Sequence, residues 1–200
     1  MGVKRVRNEG RGPGRPREER VDRAVLDAVV ALVAEGGLAA VTMDAVALRA
    51  EVGKATIYRR WPTKQDLLIA ATESRVGPLT VPDLGDFRAE LRVVLETRLK
   101  EYRKPGIDRL LAAVISAGAE AGAARGTYGA YTARGMSETR HILERGIARG
   151  DVRPDTDVRS VTTMVAAPLV FRLVGEMELP DAALVDTVVE LVARAVSPRD

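Results

Sequence analysis

The chain has 200 residues, of which 46% are hydrophobic and 30% are charged, with 31 Lys and Arg against 28 Asp and Glu. This length and composition predict one compact unit or two small ones, and they exclude a disordered tail and a fibrous protein. The absence of cysteine excludes disulfides, thiolate zinc sites and a cysteine nucleophile, and the single histidine, His141, leaves few ways to build a metal site.

No membrane-spanning or export segment is predicted. The longest uncharged apolar stretch, residues 110–119, is well short of the roughly 18 residues that a membrane span requires. The basic N-terminus is not followed by the apolar core and small-residue cleavage site of a signal peptide. We therefore expect a soluble, cytoplasmic protein without a membrane partner.

The positive charge is concentrated at the N-terminus. Residues 1–17 contain six Lys or Arg and one acidic residue, whereas residues 18–80 contain eight basic and nine acidic residues, and residues 81–200 contain 17 and 18. A basic arm in front of a near-neutral body indicates a polyanionic partner such as nucleic acid. Charge alone is equally consistent with a solvated basic tail.

The first 80 residues predict a disordered arm over 1–17 followed by four helices. An amphipathic helix begins near residue 18 and stops at Gly36-Gly37, because glycine readily adopts the left-handed conformation that ends helices. Thr42 is the expected N-cap of the second helix. Thr63, with Asp66 three residues later, predicts a capping box for the fourth. The second to fourth helices are expected over 43–50, 54–61 and 64–75.

The second half predicts five more helices and no sheet, because no run alternates with a period of two. The boundary between the halves is marked by Gly77-Pro78, Pro82 and Gly85. Pro168 is expected to kink the helix that contains it. The sequence thus indicates an all-α fold of about nine helices, the last five over 86–102, 107–119, 127–148, 156–174 and 181–196.

The second and third helices, joined by the three residues 51–53, are typical of a helix-turn-helix motif. Val46, Ala47 and Val52 are expected beneath the turn, and Ile57 and Trp61 share one face of the third helix, which we expect to face the core. The opposite face presents donors, a small residue and a phenol, which suit a helix in the DNA major groove. These residues are Lys54, Ala55, Thr56, Tyr58, Arg59 and Arg60.

Residues 42–68, TMDAVALRAEVGKATIYRRWPTKQDLL, resemble the DNA-binding domain of TetR-family transcriptional regulators. The resemblance extends over about 18–75, and the second half is similar to the family only in size, helical character and order of elements. It implies an N-terminal three-helix DNA-binding domain over 18–77, with its motif at about 42–61, and a helical effector-binding and dimerisation domain over 78–200. The matching residues are Thr42, Ala50, Val52, Thr56, Ile57, Tyr58, Trp61, Lys64 and Leu67.

The resemblance implies two sets of DNA contacts. Phosphate contacts, aided at helix N-termini by the helix dipole, are expected at Thr42, Thr56, Tyr58 and Lys64. Base edges are expected nearest Lys54, Ala55 and Arg59, with Arg60 facing either the DNA backbone or solvent.

The N-terminal arm offers a further DNA contact. Residues 11–17, RGPGRPR, resemble a minor-groove hook, in which Arg15 and Arg17 would enter the narrow groove of A·T-rich DNA. A disordered tail that adds only nonspecific attraction explains the same residues.

Two positions depart from the family pattern within the turn. Glu51 stands where the family usually has glycine, and that position often requires a positive φ, so we expect backbone strain there. Gly53 stands where a serine or threonine N-cap is common, and glycine is a weaker cap.

In the second half, the resemblance implies a four-helix dimer interface and a ligand cavity. The last two predicted helices are apolar on more than one side, which favours a second covering surface over an ordinary monomer core. Interface residues are expected at Val161, Val165, Leu169, Leu184, Val188 and Leu191. Cavity residues, each of which also fits a plain core position, are expected at Phe87, Leu91, Leu95, Leu111, Ile115, Tyr128, Tyr131, Met136, Met164 and Phe171.

The function indicated is a homodimeric repressor that binds a near-palindromic double-stranded DNA operator and responds to an unknown small-molecule effector. Aromatic residues form only 4% of the chain, which favours a small or aliphatic effector over a large planar one. No carboxylate pair, metal cluster or nucleophile–base set stands out, so we expect no catalysis, cofactor or metal. An activator, a constitutive architectural DNA-binding protein, a helical adaptor and a helical enzyme are the alternatives.

Overall fold

The computed structural model describes residues 15–76, 79–120 and 125–198, and every regular element within these ranges is helical. One α-helix more than the sequence predicts is present, and the all-α fold is confirmed. The helices are α1 (Arg15–Ala40), α2 (Met43–Ala50), α3 (Lys54–Arg60), α4 (Lys64–Arg75), α5 (Phe87–Tyr102), α6 (Ile107–Glu120), α7 (Arg125–Gly135), α8 (Ser137–Arg149), α9 (Val158–Val170) and α10 (Ala182–Val196), with a π-helical turn at Phe171–Gly175.

Local sequence chemistry sets the ends of the first four helices. The Thr42 side-chain oxygen accepts a hydrogen bond from the backbone N–H of Ala45 at 3.1 Å, and Thr63 and Asp66 form the expected capping box. Gly37 has a φ of 65° and interrupts the helical backbone near the end of α1. Helix α1 begins at Arg15, so residues 15–17 have helical backbone instead of belonging to the arm.

The first of two apolar cores holds the first four helices together. It contains buried side chains from α1 to α4, among them Val29, Val46, Ile57 and Leu68. Helix α6 contributes six buried residues to the same core, including Leu110. The two halves are therefore in direct contact, because α6 packs on α1 and α4.

The second core is formed by α5, α8, α9 and α10. Its fully buried side chains include Leu91, Ile142, Leu143 and Leu169. Spacing by three or four residues places the buried side chains of each helix along one stripe.

A buried carboxylate fixes the segment that enters α5. Glu90 is completely buried and accepts hydrogen bonds from two guanidinium N–H groups of Arg149, at 3.1 and 3.3 Å, and from the backbone N–H of Leu84 at 2.9 Å. Arg145 lies 3.3 Å from the same carboxylate. A buried charge requires such partners, and here they tie α8 to α5 and to the preceding loop.

The single helix predicted over 127–148 is wrong. The backbone changes direction at Met136, with φ −102° and ψ 2°, and this residue divides α7 from α8. Helix α7 packs on α4 and α6, whereas α8 packs on α5 and α9. A straight helix cannot satisfy both sets of contacts, and Gly135, directly before the break, is the local signal that the prediction did not use.

A widened helical turn follows Pro168, and the kink expected at this residue stays a prediction. Proline has no N–H to donate to the carbonyl four residues earlier, so the hydrogen-bond ladder of α9 is already interrupted there. The chain then forms the π-helical turn, in which the N–H of Glu176 donates to the Phe171 carbonyl at 3.0 Å. Helical backbone continues to Gly175, one residue beyond the predicted end.

Within the described ranges of the chain, one segment, Val158–Gly175, is long and apolar enough to cross a membrane by length and composition alone. It carries Arg159 and Arg172, and it buries Val165, Leu169 and Leu173 against the rest of the fold. This combination of one buried stripe and one exposed stripe is the pattern of a helix at the surface of a folded domain.

Candidate nucleic-acid interface and cavity

The turn between α2 and α3 contains the positive φ expected at Glu51. Its backbone lies in the left-handed region, with φ 55° and ψ 41°. The N–H of Val52 donates to the Ala47 carbonyl at 3.1 Å, which closes the end of α2. Gly53 is the N-cap of α3 and supplies no side-chain cap. Glu51 therefore adopts the positive φ that the sequence predicts, and Gly53 occupies the expected N-cap position.

Helix α3 is anchored by its inner face. Ile57 has no exposed surface, and the half-buried Trp61 packs against the first core, as expected. The opposite face is exposed at Lys54, Ala55 and Arg59. Tyr58 is 49% exposed beside them. Four of the expected DNA contacts therefore share one accessible surface, which we call the α3 outer face: Lys54, Ala55, Tyr58 and Arg59.

One cation of this surface has an acidic neighbour. Lys54 forms an ion pair with Asp44 of α2. The hydrogen bond that its ammonium donates to Asp44 raises the pKa of Lys54 above its ordinary value, so the group stays charged at neutral pH. Thr56 is half-buried, and its backbone N–H donates to the Gly53 carbonyl at 2.9 Å.

The structure does not bring Arg60 to the α3 outer face, where the sequence predicts a DNA contact. The Arg60 side chain is only 18% exposed, and its Nε lies 2.5 Å from a carboxylate oxygen of Asp22 in α1. Successive helical residues point about 100° apart. Arg60 therefore turns towards α1, although its neighbour Arg59 faces outward.

Lys64 also contacts α1. Its ammonium donates a hydrogen bond to the backbone carbonyl of Leu38 at 2.7 Å. This bond joins the start of α4 to the end of α1, and the expected phosphate contact of Lys64 stays a prediction. The side chains of Arg15 and Arg17 lie outside the described residues, as does the rest of the arm.

A cavity of about 620 Å³ lies between α4, α5, α6, α7, α8 and α9. Half of the ten residues expected in a cavity line it: Leu95, Leu111, Ile115, Tyr131 and Met136. Its remaining walls include residues that the sequence analysis missed, notably Glu73, Arg98, Tyr102, Arg134 and Thr139. Arg98 and Tyr102 are four residues apart and so share one face of α5. This spacing could have predicted that the two residues lie in the same cavity wall.

The other expected cavity residues lie elsewhere. Phe87 and Leu91 are buried in the second core, because their stripe on α5 faces α8 and α10. Met164 and Phe171 are 60% and 63% exposed on the outside of the molecule. The Tyr128 side chain lies outside the described residues.

The cavity reaches the DNA-binding helices through α4. Glu73 and Val76, at its C-terminal end, form part of the cavity wall. Two guanidinium nitrogens of Arg134 in α7 lie 2.8 and 3.0 Å from a Glu73 carboxylate oxygen. Material bound in the cavity would therefore touch the helix that starts beside α3.

The last two helices expose an apolar surface. Met164, Phe171 and Leu191 are each at least 60% exposed, and Ala167 is exposed between the first two. We call these four residues the outer apolar face. Leu191 is thus exposed as expected for an interface residue.

The remaining residues expected at a dimer interface are less accessible. Val165, Leu169 and Val188 are buried in the second core of a single chain, which corrects their expected place in an interface. Val161 and Leu184 are half-buried. An apolar pattern around a helix does not distinguish its inner stripe from its outer one.

The search for metal ligands is confined to the parts of the chain that the structure describes. Within 15–76, 79–120 and 125–198, no group of three or more His, Cys, Asp or Glu side chains is placed to hold a metal ion. His141 is exposed on α8 and lies 3.4 Å from Glu138.

Comparison with known proteins agrees with this architecture. Residues 25–71 match the family model "Bacterial regulatory proteins, tetR family", and residues 81–192 match "Tetracyclin repressor-like, C-terminal domain". The uncharacterized HTH-type transcriptional regulator YdeS of Bacillus subtilis is 31% identical over 80% of this chain and 81% of its own length. The HTH-type transcriptional repressor KstR of Rhodococcus jostii is 49% identical over 24% of this chain and 23% of its own.

A solved structure shares the fold. The TetR family transcription regulator SCO0332 aligns with a TM-score of 0.70 and 28% identity, over 90% of this chain and all of that one. Together with the two family matches, this likeness covers both the α3 outer face and the cavity. The chain therefore belongs to the TetR family of bacterial DNA-binding transcriptional regulators, which are not enzymes.

Proposed function

We propose that the protein is a ligand-responsive repressor that acts as a cytoplasmic homodimer on a near-palindromic operator. One observation carries this proposal: α4 begins beside α3, where Lys64 binds the Leu38 carbonyl, and ends in the wall of the cavity. A single rigid helix thus connects the DNA-binding surface to an internal site. The repressor activity named for KstR supports the direction of regulation.

The α3 outer face would enter the major groove. Arg59, Lys54 and Ala55 would lie nearest the base edges, because they are exposed on the side opposite Ile57. Tyr58, Thr56 and Thr42 would contact phosphates and so fix the position of the helix on the duplex. Lys64 adds a phosphate contact if its ammonium also reaches the DNA backbone.

The outer apolar face would be covered by its copy in a second chain. Contiguous exposed apolar side chains on a soluble protein mark interaction surfaces, and two-fold symmetry lets one patch cover itself. The same symmetry presents two α3 helices to two half-sites, which must be about 34–36 Å apart on the same side of DNA. A two-fold dimer therefore requires a near-palindromic operator.

Ligand binding would change operator affinity by moving α4. Glu73 and Val76 move together with α4. A ligand that binds more tightly to one position of these residues therefore favours the tilt of α4 that goes with that position. The spacing of the two α3 helices then departs from that of the DNA half-sites. Operator affinity falls by the ratio of the ligand affinities for the two conformations.

Selection of bound sequences from random double-stranded DNA tests the proposal. We expect a consensus with two inverted half-sites about one helical turn apart, bound by a species with twice the mass of one chain in sedimentation. Recovery of DNA without any sequence preference would indicate an architectural DNA-coating protein instead. A consensus without inverted symmetry would contradict the homodimer.

A further inference from the structure

The walls of the cavity combine apolar side chains with hydrogen-bonding groups that have no protein partner. Thr139 is only 5% exposed and lines the cavity. Its hydroxyl makes no hydrogen bond to another described residue, and it is not among the fully buried unpaired polar atoms, so the oxygen is accessible from the cavity. A hydroxyl that faces a cavity in this way can donate a hydrogen bond to a bound ligand and accept one from it.

Arg98 adds a cation without a counter-ion. This half-buried residue of α5 donates one hydrogen bond to the Gly135 carbonyl at 2.9 Å. Within the described residues, no carboxylate lies within ion-pair distance of its guanidinium, in contrast to Arg92 of the same helix, which pairs with Asp186. A guanidinium has five N–H donors arranged to bind a carboxylate through two parallel hydrogen bonds.

Tyr102 lies one helical turn beyond Arg98 and also lines the cavity. Burial raises the pKa of its phenol, with a smaller opposing effect from Arg98, so the hydroxyl stays protonated at neutral pH and can donate a hydrogen bond to a ligand. The hydrogen bond from Arg98 to the Gly135 carbonyl places the guanidinium beside the end of α7. Thr139 follows four residues later in α8. Donors from α5 and α8 therefore line the same cavity.

Besides the Arg134–Glu73 pair and the hydroxyl groups of Thr132, Ser137 and Thr163, the remaining lining is mainly apolar. Few rings are available for stacking a planar ligand, because Tyr102 and Tyr131 are the aromatic residues of the described lining. The Arg134–Glu73 pair neutralises itself, which leaves Arg98 as the unbalanced charge. Aliphatic walls are provided by Leu79, Val94, Leu95, Leu111, Val114, Ile115, Val165, Leu169 and Val170.

We propose that the effector is an amphipathic monoanion, an aliphatic carboxylate whose head group binds Arg98, Tyr102 and Thr139 and whose chain lies along the apolar walls. The cavity, about 620 Å³ in volume, falls within the roughly 300–1,000 Å³ of sites that enclose small organic ligands. A cation would be repelled by Arg98, and an uncharged alcohol would leave the guanidinium without a counter-ion. This inference rests on the proposed function of a ligand-responsive regulator.

Calorimetric titration of the full chain with straight-chain carboxylates from hexanoate to hexadecanoate, kept below their micelle concentrations, tests the proposal. For the best chain length, we expect binding at least about tenfold tighter than for the alcohol and the amine of equal length, because a charge-assisted hydrogen bond contributes roughly 1.5–3 kcal/mol. Equal affinities for carboxylate and alcohol, or no binding across the series, would overturn the proposal.

Two variants and a matched control locate the head group. Arg98→Gln should weaken carboxylate binding about tenfold or more and leave alcohol binding unchanged. Thr139→Val, which keeps the shape of the side chain, should weaken carboxylate binding by a smaller factor. Lys100→Gln removes a positive charge from an exposed position on the same helix and should leave the affinity unchanged. An Arg98→Gln protein that retains full affinity would contradict the assignment.

Operator binding, measured in parallel by fluorescence anisotropy, separates this inference from the proposed function. Release of the selected operator by the carboxylate supports both. Operator binding that no carboxylate weakens overturns the effector assignment alone. Carboxylate binding that depends on Arg98, in a protein with no operator preference, overturns the proposed function but not the ligand chemistry of the cavity.

Discussion

The carboxylate-bearing residue in the helix-turn-helix turn adopts a backbone conformation that suits glycine. Glu51 has a φ of 55°, which brings the Cβ of an L-residue close to the following carbonyl oxygen. This conformation is unfavourable by about 1–2 kcal/mol for a residue other than glycine. The strain is local to the turn, and the side chain of Glu51 is exposed.

Replacing Glu51 with glycine should therefore stabilise the protein. We expect Glu51→Gly to raise the melting temperature by about 2–4 °C, since roughly 1 kcal/mol corresponds to such a shift in a chain of this size. Glu96→Gly is the control: Glu96 is exposed within α5, and glycine there should lower stability by about 1 kcal/mol. An unchanged or lower melting temperature for Glu51→Gly would reject the strain argument.

Two adjacent arginines provide a second test at the residue scale. Arg59 faces outward from α3, whereas Arg60 pairs with Asp22 of α1. Arg59→Gln should relax the base preference at one position of each half-site, weaken operator binding by about 1–3 kcal/mol and leave the melting temperature unchanged.

Arg60→Gln should lower stability and leave the base preference of the protein unchanged, the reverse of Arg59→Gln. The consensus should keep its base preferences, and the melting temperature should fall, because Asp22 would lose its partner. Thermal unfolding and the selected consensus, measured on both variants, distinguish the two roles. A relaxed consensus in Arg60→Gln with normal stability would show that this residue reads DNA after all.

Among the helices, α9 with its π-helical turn and α10 carry the outer apolar face, which is the proposed dimer interface. Phe171 is 63% exposed in one chain, so its replacement removes little from the core of that chain. A carboxylate there would be buried without a partner in the proposed dimer, which is strongly unfavourable.

Phe171→Glu should therefore yield a folded monomer. Sedimentation should give half the wild-type mass, and operator affinity should fall by at least about tenfold, because a monomer engages only one half-site. Ala130→Glu places the same charge at an exposed position on α7 outside the cavity lining, and it should remain dimeric. A dimeric Phe171→Glu protein would exclude the outer apolar face as the interface.

The helices differ in how far the sequence determines them. Caps such as Thr42 and Thr63 and the left-handed Glu51 depend on neighbouring residues, and the sequence predicts them correctly. The break at Met136 and the direction of Arg60 depend on helices distant in the chain, which periodicity does not reveal. Met164, expected in the cavity, is exposed, and Leu169, expected at an interface, is buried in the second core. Both residues are apolar, and only tertiary packing determines which side of α9 faces the core.

Over the whole molecule, the positive charge is not spread evenly but is concentrated at a few positions. Residues 18–80 carry eight basic and nine acidic residues, so their total charge does not favour DNA, and the positions of the outward cations matter more. Residues 1–14 contain four Lys or Arg and one Glu. Each phosphate that a cation neutralises adds about 0.9 to the slope of log affinity against log salt concentration.

Deletion of residues 1–14 should weaken operator binding and reduce that slope by about 2–4 for a dimer, provided that a good part of the arm contacts phosphates. A chain with serine at Lys4, Arg5, Arg7 and Arg11 should behave like the deletion, which separates charge from length. A salt slope equal to that of the full chain would identify the arm as a passive tail.

The burial of α6 beside α1 and α4 limits how this protein can be recombined with its relatives. A chimera joined near residue 78 would bring a foreign α6 against these two helices, and its side chains would have to fill the spaces that Leu110, Val114 and their neighbours occupy. The unit that can be exchanged between regulators is therefore the four DNA-binding helices together with a compatible α6. A change of operator by grafting would succeed most readily when only the outer surface of α3 is replaced.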